Sequence, residues 1–256
     1  MVNLDKFKLF DSHCHIIDKR FPLVENQGYL PDYFSIADYQ HRTQHYNVCG
    51  GAIVSGSFQA FDQTYLLTAL QQLRQITPNF VGVTQLPPKV TDQRLVELNA
   101  AGVRALRFNL KRGGYADISS LQHFAARVYD VVGWHVELYI DTNDLPQLHQ
   151  TLASLPAVSI DHLGLSKSGF SHLLALVEQG AMVKATGFGR VDFEVTAALQ
   201  QICAVNPAAL MFGTDLPSTR AARAYADEDF LLVIAALGDV LAQQVFYANA
   251  INFYKP

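Results

Sequence analysis

The chain has 256 residues, half of them hydrophobic and 16% charged, enough to bury one large core, and α/β barrels of this length commonly form a single domain. A net charge of −4 supplies no basic footprint, which argues against a nucleic-acid partner or an anionic membrane surface. Cys14, Cys49 and Cys203 have no close spacing, so a disulfide framework is excluded in favour of a reducing compartment.

The first residues carry no basic n-region followed by an apolar stretch, and no apolar run approaches about 18 residues; the expectation is a soluble cytoplasmic protein. Leu9-Phe10-Asp11-Ser12-His13-Cys14-His15 is an apolar run opening onto two histidines. On a strand, residues i and i+2 share a side, so His13 and His15 project together, while Cys14 turns to the other side and packs. Residues 16–38 are polar, aromatic and irregular, the character of a functional lid or site wall.

A helix is expected over residues 37–46 and a second strand over residues 50–55, with Ser55 and Ser57 at its exit. Residues 62–76 place Tyr65, Leu66, Leu70, Leu73 and Ile76 at helical spacing before Pro78, a conventional stop. Residues 80–86 form the third strand, and a helix follows over 91–99 with Thr91 as its cap. Strand four spans 103–110, then come the Gly113-Gly114 loop and a helix from 119 to 132. Strand five (135–141) and a helix over 144–154 follow. Strands six, seven and eight occupy 157–162, 181–186 and 210–214, with helices over 171–179 and 194–205 between them and closing helices from about 221.

Alternating strand and helix means a parallel sheet, and eight repeats favour a closed (β/α)8 barrel, residues 1–256 forming one domain. No Gly-x-Gly-x-x-Gly turn follows the first strand to suggest a dinucleotide. In such barrels the chemistry sits at the C-terminal strand ends. There this chain presents His13 and His15 (strand one), Ser55 (two), Arg107 and Asn109 (four), Tyr139 and Asp141 (five), His162 (six), Arg190 (after seven) and Asp215 (eight). Nine histidines in the chain would make one His-x-His by chance often enough. Ser159-Ile160-Asp161-His162-Leu163-Gly164 and Met211-Phe212-Gly213-Thr214-Asp215-Leu216-Pro217 each deliver another polar residue at a strand end, which chance does not.

This ordered series, with Gly102-Val103-Arg104-Ala105-Leu106-Arg107-Phe108-Asn109, Trp134-His135-Val136-Glu137-Leu138 and Val183-Lys184-Ala185-Thr186-Gly187, resembles the amidohydrolase superfamily (amidohydrolase-2 type), and within it the branch of 2-pyrone-4,6-dicarboxylate lactonase-like hydrolases. The resemblance implies a hydrolase of ester or lactone bonds acting on a small anionic substrate, with Asp215 as general base and His13, His15 and His162 polarising the carbonyl. By the same resemblance Arg107, Arg112, Arg190 and Tyr139 bind substrate, and Ser55, at the exit of strand two, is read as a further substrate-binding residue.

Metal-dependent members would bring a histidine to the end of strand five, where this chain has Tyr139; His135 lies at the strand's start and is read as structural. No cofactor is favoured, and the alternative is a single zinc or manganese ion on His13, His15 and Asp215, which would make the chain a mononuclear metal-dependent hydrolase or decarboxylase. A binding protein of the same fold without catalysis is the reading from another class. Lys111 is read as solvated rather than as a bridging ligand, Glu137 and Asp141 as ion-pair partners, and Arg104 as half of a buried ion pair. Composition leaves the oligomeric state open, a homo-oligomer included.

Overall fold

The computed structural model describes residues 4–112 and 118–256; Gly113 and Gly114 lie outside the described residues. Eight strands, β1 (Lys8–Cys14), β2 (Asn47–Val54), β3 (Phe80–Thr84), β4 (Val103–Asn109), β5 (His135–Tyr139), β6 (Val158–Ile160), β7 (Met182–Ala185) and β8 (Leu210–Phe212), form one sheet in sequence order, every pair parallel. The strands are buried on both faces, as parallel strands covered by crossover helices must be.

Helices α1 (Ile36–Thr43), α2 (Thr64–Leu73), α3 (Asp92–Ala100), α4 (Ile118–Val132), α5 (Leu145–Ala153), α6 (Phe170–Glu178) and α7 (Val195–Val205) carry the chain back between successive strands. The Thr91 side chain accepts from Arg94 N and caps α3, while Glu194 starts α7 in the same way. Each crossover sets its next strand beside the last, so eight repeats bring β8 round to β1.

The sheet nearly closes into a barrel there. Asp215 N donates to His13 O at 2.7 Å and His15 N to Leu216 O at 2.8 Å. Gly213 makes the approach possible, because a Cβ on it would lie 2.6 Å from His13 N. The chain ends in α8 (Asp227–Gln243), a π-helical turn and α9 (Asn249–Tyr254). By length and composition the span Asp227–Tyr254 is apolar enough to cross a membrane, which corrects the expectation of no such run; in the fold it packs on β1 and β8, with Phe230 and Phe246 stacked at 3.9 Å.

Strands six to eight stop short of their expected ends. His162 has φ +52° and Asp215 φ +58°, left-handed values that no strand accommodates and that cost free energy in a non-glycine residue. Both side chains therefore stand in turns just past the sheet.

Candidate active site

A narrow cavity, partly open to solvent, occupies the C-terminal mouth of the barrel and is lined by His15, Phe58, Arg107, Asn109, Arg112, Tyr139, His162, Arg190 and Arg220, among others. His13 and Asp215 are fully buried and pack directly against this lining: the His13 ring is 5.1 Å from His15 and 4.8 Å from His162. The four residues expected at the centre thus converge.

Asp215 is held by its neighbours. Arg190 Nε donates to its Oδ2 at 2.7 Å, and Oδ1 lies 3.7 Å from His15 Nε2 and 3.9 Å from His13 Nε2 without a hydrogen-bond partner of its own. Burial opposes ionisation, but the Arg190 guanidinium, with the three imidazoles behind it, outweighs burial and holds the carboxyl well below the usual carboxylate range.

His15 Nδ1 is 2.7 Å from Val54 O. A carbonyl can only accept, so Nδ1 carries a hydrogen and donates, and Nε2 is the nitrogen that faces Asp215. His13, pushed down to about 4 chiefly by burial against the opposing pull of Asp161, and His162, lowered well below its ordinary range chiefly by burial, stay neutral.

Beneath the histidines lies a buried charge network, of which the sequence reading anticipated only Glu137 as an ion-pair partner. Arg107 pairs with Asp161 Oδ2 through NH2 at 2.9 Å and donates through NH1 to Ser55 O at 2.7 Å. Lys184 Nζ lies 2.5 Å from Glu137 Oε2, 3.7 Å from Asp161 Oδ1 and 3.4 Å from His13 Nδ1. Burial disfavours both carboxylates, yet Lys184 draws Glu137 down to about 2, and His13, Lys184 and Arg107 hold Asp161 well below its ordinary value. Tyr254 closes the network from below by donating to Glu137 Oε1. Two cations and two anions thus fill the barrel centre in matched pairs, as buried charges require.

Several expectations are refined. Ser55 does not line the cavity: it is fully buried, its hydroxyl engages Tyr65 OH at 2.7 Å, and it acts on the site through the carbonyl that holds Arg107. Lys111 pairs with Asp141 at 2.7 Å and Glu137 with Lys184, as ion-pair partners. His135 packs on Phe253 with centroids 4.1 Å apart and contacts Glu137, a structural position. Among the described residues Arg104 makes no buried ion pair; its NH1 instead donates to the carbonyls of Asn99, in α3, and Val103, at the start of β4. Tyr139 flanks Arg107 and His162 at the cavity wall. Arg220, after β8, lines the cavity as well.

Among the described residues, two sets of donors lie close enough to hold a cation. His13, Glu137 and Asp161 already surround the Lys184 ammonium, so that set does not fit a metal. His13, His162 and Asp215 lie within 4.8 Å of one another, and His13 Nε2, His162 Nδ1 and Asp215 Oδ1 are buried without partners; this set fits one divalent ion. His162 takes the place expected of His15.

A family model described as Amidohydrolase matches residues 10–255. A 2-pyrone-4,6-dicarboxylate hydrolase from Comamonas testosteroni is 28% identical over 159 residues, 60% of this chain and 51% of the relative, so the match spans about half the relative's length. A structure from Pseudomonas putida, named as a candidate 2-pyrone-4,6-dicarboxylic acid hydrolase, superposes with a TM-score of 0.81 at 26% identity, covering 99% of this chain and 98% of that one. One from Acinetobacter baumannii, similarly named, gives 0.84 at 22% identity over 97% and 99% of the two chains and shares the fold.

Proposed function

The chain belongs to the amidohydrolase family, and from that premise we propose that it hydrolyses a small lactone or related cyclic ester bearing at least one carboxylate, of the class named for its 2-pyrone-4,6-dicarboxylate hydrolase relatives. One observation carries this reading: four guanidiniums, Arg107, Arg112, Arg190 and Arg220, line a cavity whose depths hold three imidazoles and Asp215. Guanidiniums bind carboxylates by paired, charge-assisted hydrogen bonds, and the imidazole cluster faces the bond to be broken.

In this reading a water sits against Asp215 Oδ1 and His15 Nε2, the two acceptors left free at the centre. As its oxygen attacks the carbonyl carbon, its proton passes to that pair, His15 carrying it as an imidazolium stabilised by Asp215, and then moves to the ring oxygen as the C–O bond opens. Asp215 is too strongly held by Arg190 to act well as a base alone, so His15 shares the role. His13 Nδ1 lies 3.4 Å from both Lys184 Nζ and Asp161 Oδ1; in this reading it accepts from Lys184, the ring's hydrogen stands on Nε2, and His13 and His162 hydrogen-bond the developing oxyanion. The guanidiniums fix the carbonyl against the water. A divalent ion held by His13, His162 and Asp215 would supply Lewis-acid polarisation of the same carbonyl.

A panel of lactones with and without carboxylates, followed by Asp215→Asn on whichever is cleaved, tests the proposal. Acidic lactones are expected to be preferred, and Asp215→Asn to lose on the order of a hundredfold or more in kcat. Equal cleavage of neutral lactones, or an active Asp215→Asn enzyme, removes the reading.

A further inference from the structure

The ion network beneath the histidines is completed by a residue from the last helix. Tyr254, in the final turn of α9, is buried under the barrel, its ring stacked on Phe10 of β1 with centroids 5.3 Å apart and edge-on to His135 of β5 at 4.9 Å. Its hydroxyl donates to Glu137 Oε1, with Ser12 O at 3.3 Å as a longer second acceptor. Burial first, and then the neighbouring Glu137, push the phenol far above its ordinary value, so it keeps its hydrogen and remains a donor. His135 Nε2 lies 3.2 Å from the same carboxylate oxygen. Glu137 Oε1 is thereby held from two sides, and Oε2 is left to meet the Lys184 ammonium.

That ammonium stands among three acceptors at unequal distances: Glu137 Oε2 at 2.5 Å, His13 Nδ1 at 3.4 Å and Asp161 Oδ1 at 3.7 Å. An ammonium can only donate, so its bond to Nδ1 leaves the ring's hydrogen on Nε2. The opposite arrangement is also built in. Asp161 Oδ1 lies 3.4 Å from His13 Nδ1 and has no hydrogen-bond partner, while its Oδ2 is fixed by Arg107; it would accept an Nδ1–H if the ammonium withdrew. Two tautomers of His13 are set against each other, and the position of Lys184 decides between them.

Glu137 in turn decides where Lys184 stands. A buried carboxylate oxygen that loses a donor seeks another, and the nearest cation is the ammonium already on its sister oxygen. Without the Tyr254 hydroxyl, Lys184 is drawn onto both oxygens of Glu137 and away from His13.

We propose that Tyr254 is a positioning residue for the reaction: by holding Glu137 Oε1 it keeps Lys184 within reach of His13 and so fixes the hydrogen of that ring on Nε2. The inference rests on the reading of His13 as an oxyanion donor, and extends it to a side chain that acts on His13 through Glu137 and Lys184.

Tyr254→Phe is the informative variant, because it keeps the ring that stacks on Phe10 and lies 5.7 Å from Lys184 Nζ and removes the hydroxyl alone. Tyr46→Phe is its control, taking a hydroxyl in the same way from Asp227, at the start of α8. Long-range proton–nitrogen correlation spectra of isotope-labelled, ligand-free protein at neutral pH read the tautomer, with the His13 signals assigned by their loss in His13→Gln. The intact protein is expected to show a protonated Nε2 and a bare Nδ1, and Tyr254→Phe a shift of that population toward Nδ1–H. On a cleaved acidic lactone, Tyr254→Phe should lose about tenfold or more in kcat with KM within about twofold, the pattern of an interaction made in the transition state. Tyr46→Phe should change neither.

A hydrogen on Nδ1 of His13 in the intact protein overturns the proposal without any variant. So does a fall in kcat in Tyr254→Phe with the tautomer unmoved, which is what a merely structural hydroxyl would give, or an unchanged tautomer and rate together. A tautomer that responds to Tyr254→Phe while no lactone is cleaved removes the reaction proposed above and leaves the coupling from Tyr254 to His13 standing.

Discussion

Thr214 gives both its backbone N–H and its hydroxyl to the carboxylate of Asp11, at 2.8 and 2.7 Å, and so joins the last strand to the first. Tyr39 OH adds a third donor at 3.1 Å and His13 N a fourth at 3.3 Å. Because the same seam sets Asp215 N on His13 O, the residue that joins the last strand to the first also registers Asp215 against His13. Asp11→Ala leaves those donors buried and unanswered, at a cost of about 3–5 kcal/mol. In Asp11→Asn the two hydroxyls can rotate to accept, and the cost falls to about 1–2 kcal/mol. Urea unfolding with an unchanged m-value reads both; equal losses for the two variants would remove the seam's role.

The buried histidines make a pH prediction whose sign follows from their shifts. His13 is lowered from 6.5 to about 4 and His162 well below 6.5, burial leading in each; such groups stabilise the fold above the unfolded value and lose that contribution as pH falls through the folded one. Asp11 acts the other way: raised by burial from 3.8 to about 6, its contribution is present at low pH and is lost as pH rises through about 6. Each of the His13 and Asp11 effects has a ceiling of about 3 kcal/mol, and they largely cancel, which leaves His162 and His135, both lowered chiefly by burial, to set the slope. Stability should therefore fall as pH drops from 6.5 toward 4, and Asp11→Asn, by removing the opposing group, should make that fall steeper. Denaturant midpoints across the window check it, and a flat profile in Asp11→Asn would contradict the assignment.

The sequence carried the barrel because apolar runs of strand length, each delivering a polar residue at its end, survive translation into structure almost unchanged; Thr91 as the cap of α3 is a local case. It carried the convergence of His13, His15, His162 and Asp215 for the same reason. Partnerships across the barrel were not legible. Asp161 stands beside His162 in the chain, yet its partner Arg107 is two strands away, and nothing in local spacing marks which arginine is consumed and which is free. Ser55 reads as a strand-exit position, but its side chain turns back to Tyr65. Arg220 lies in an aperiodic loop, and its contact with Asn26, far away in the chain, shows only in the structure. The tautomer of His15 depends on Val54 O, a backbone atom of another strand, and so on tertiary register alone.

Metal dependence gives the last prediction. The set that fits an ion, His13, His162 and Asp215, shares its carboxylate with Arg190, which bonds Oδ2 at 2.7 Å. An ion at Oδ1 must therefore compete with a guanidinium on the same group and with Lys184 on the far side of His13, both positive, which weakens cation binding at short range. Activity is accordingly expected to survive prolonged chelation, with elemental analysis giving well under one zinc or manganese per chain. Added zinc should inhibit by occupying the three donors, and His162→Ala should relieve that inhibition, while Arg190→Met should tighten zinc binding by about tenfold or more because Asp215 loses its competitor. Calorimetric zinc titration of the wild type and the two variants reads the competition without reference to turnover. One tightly held equivalent whose removal abolishes activity would reverse the prediction and assign polarisation of the carbonyl to the ion rather than to His13 and His162.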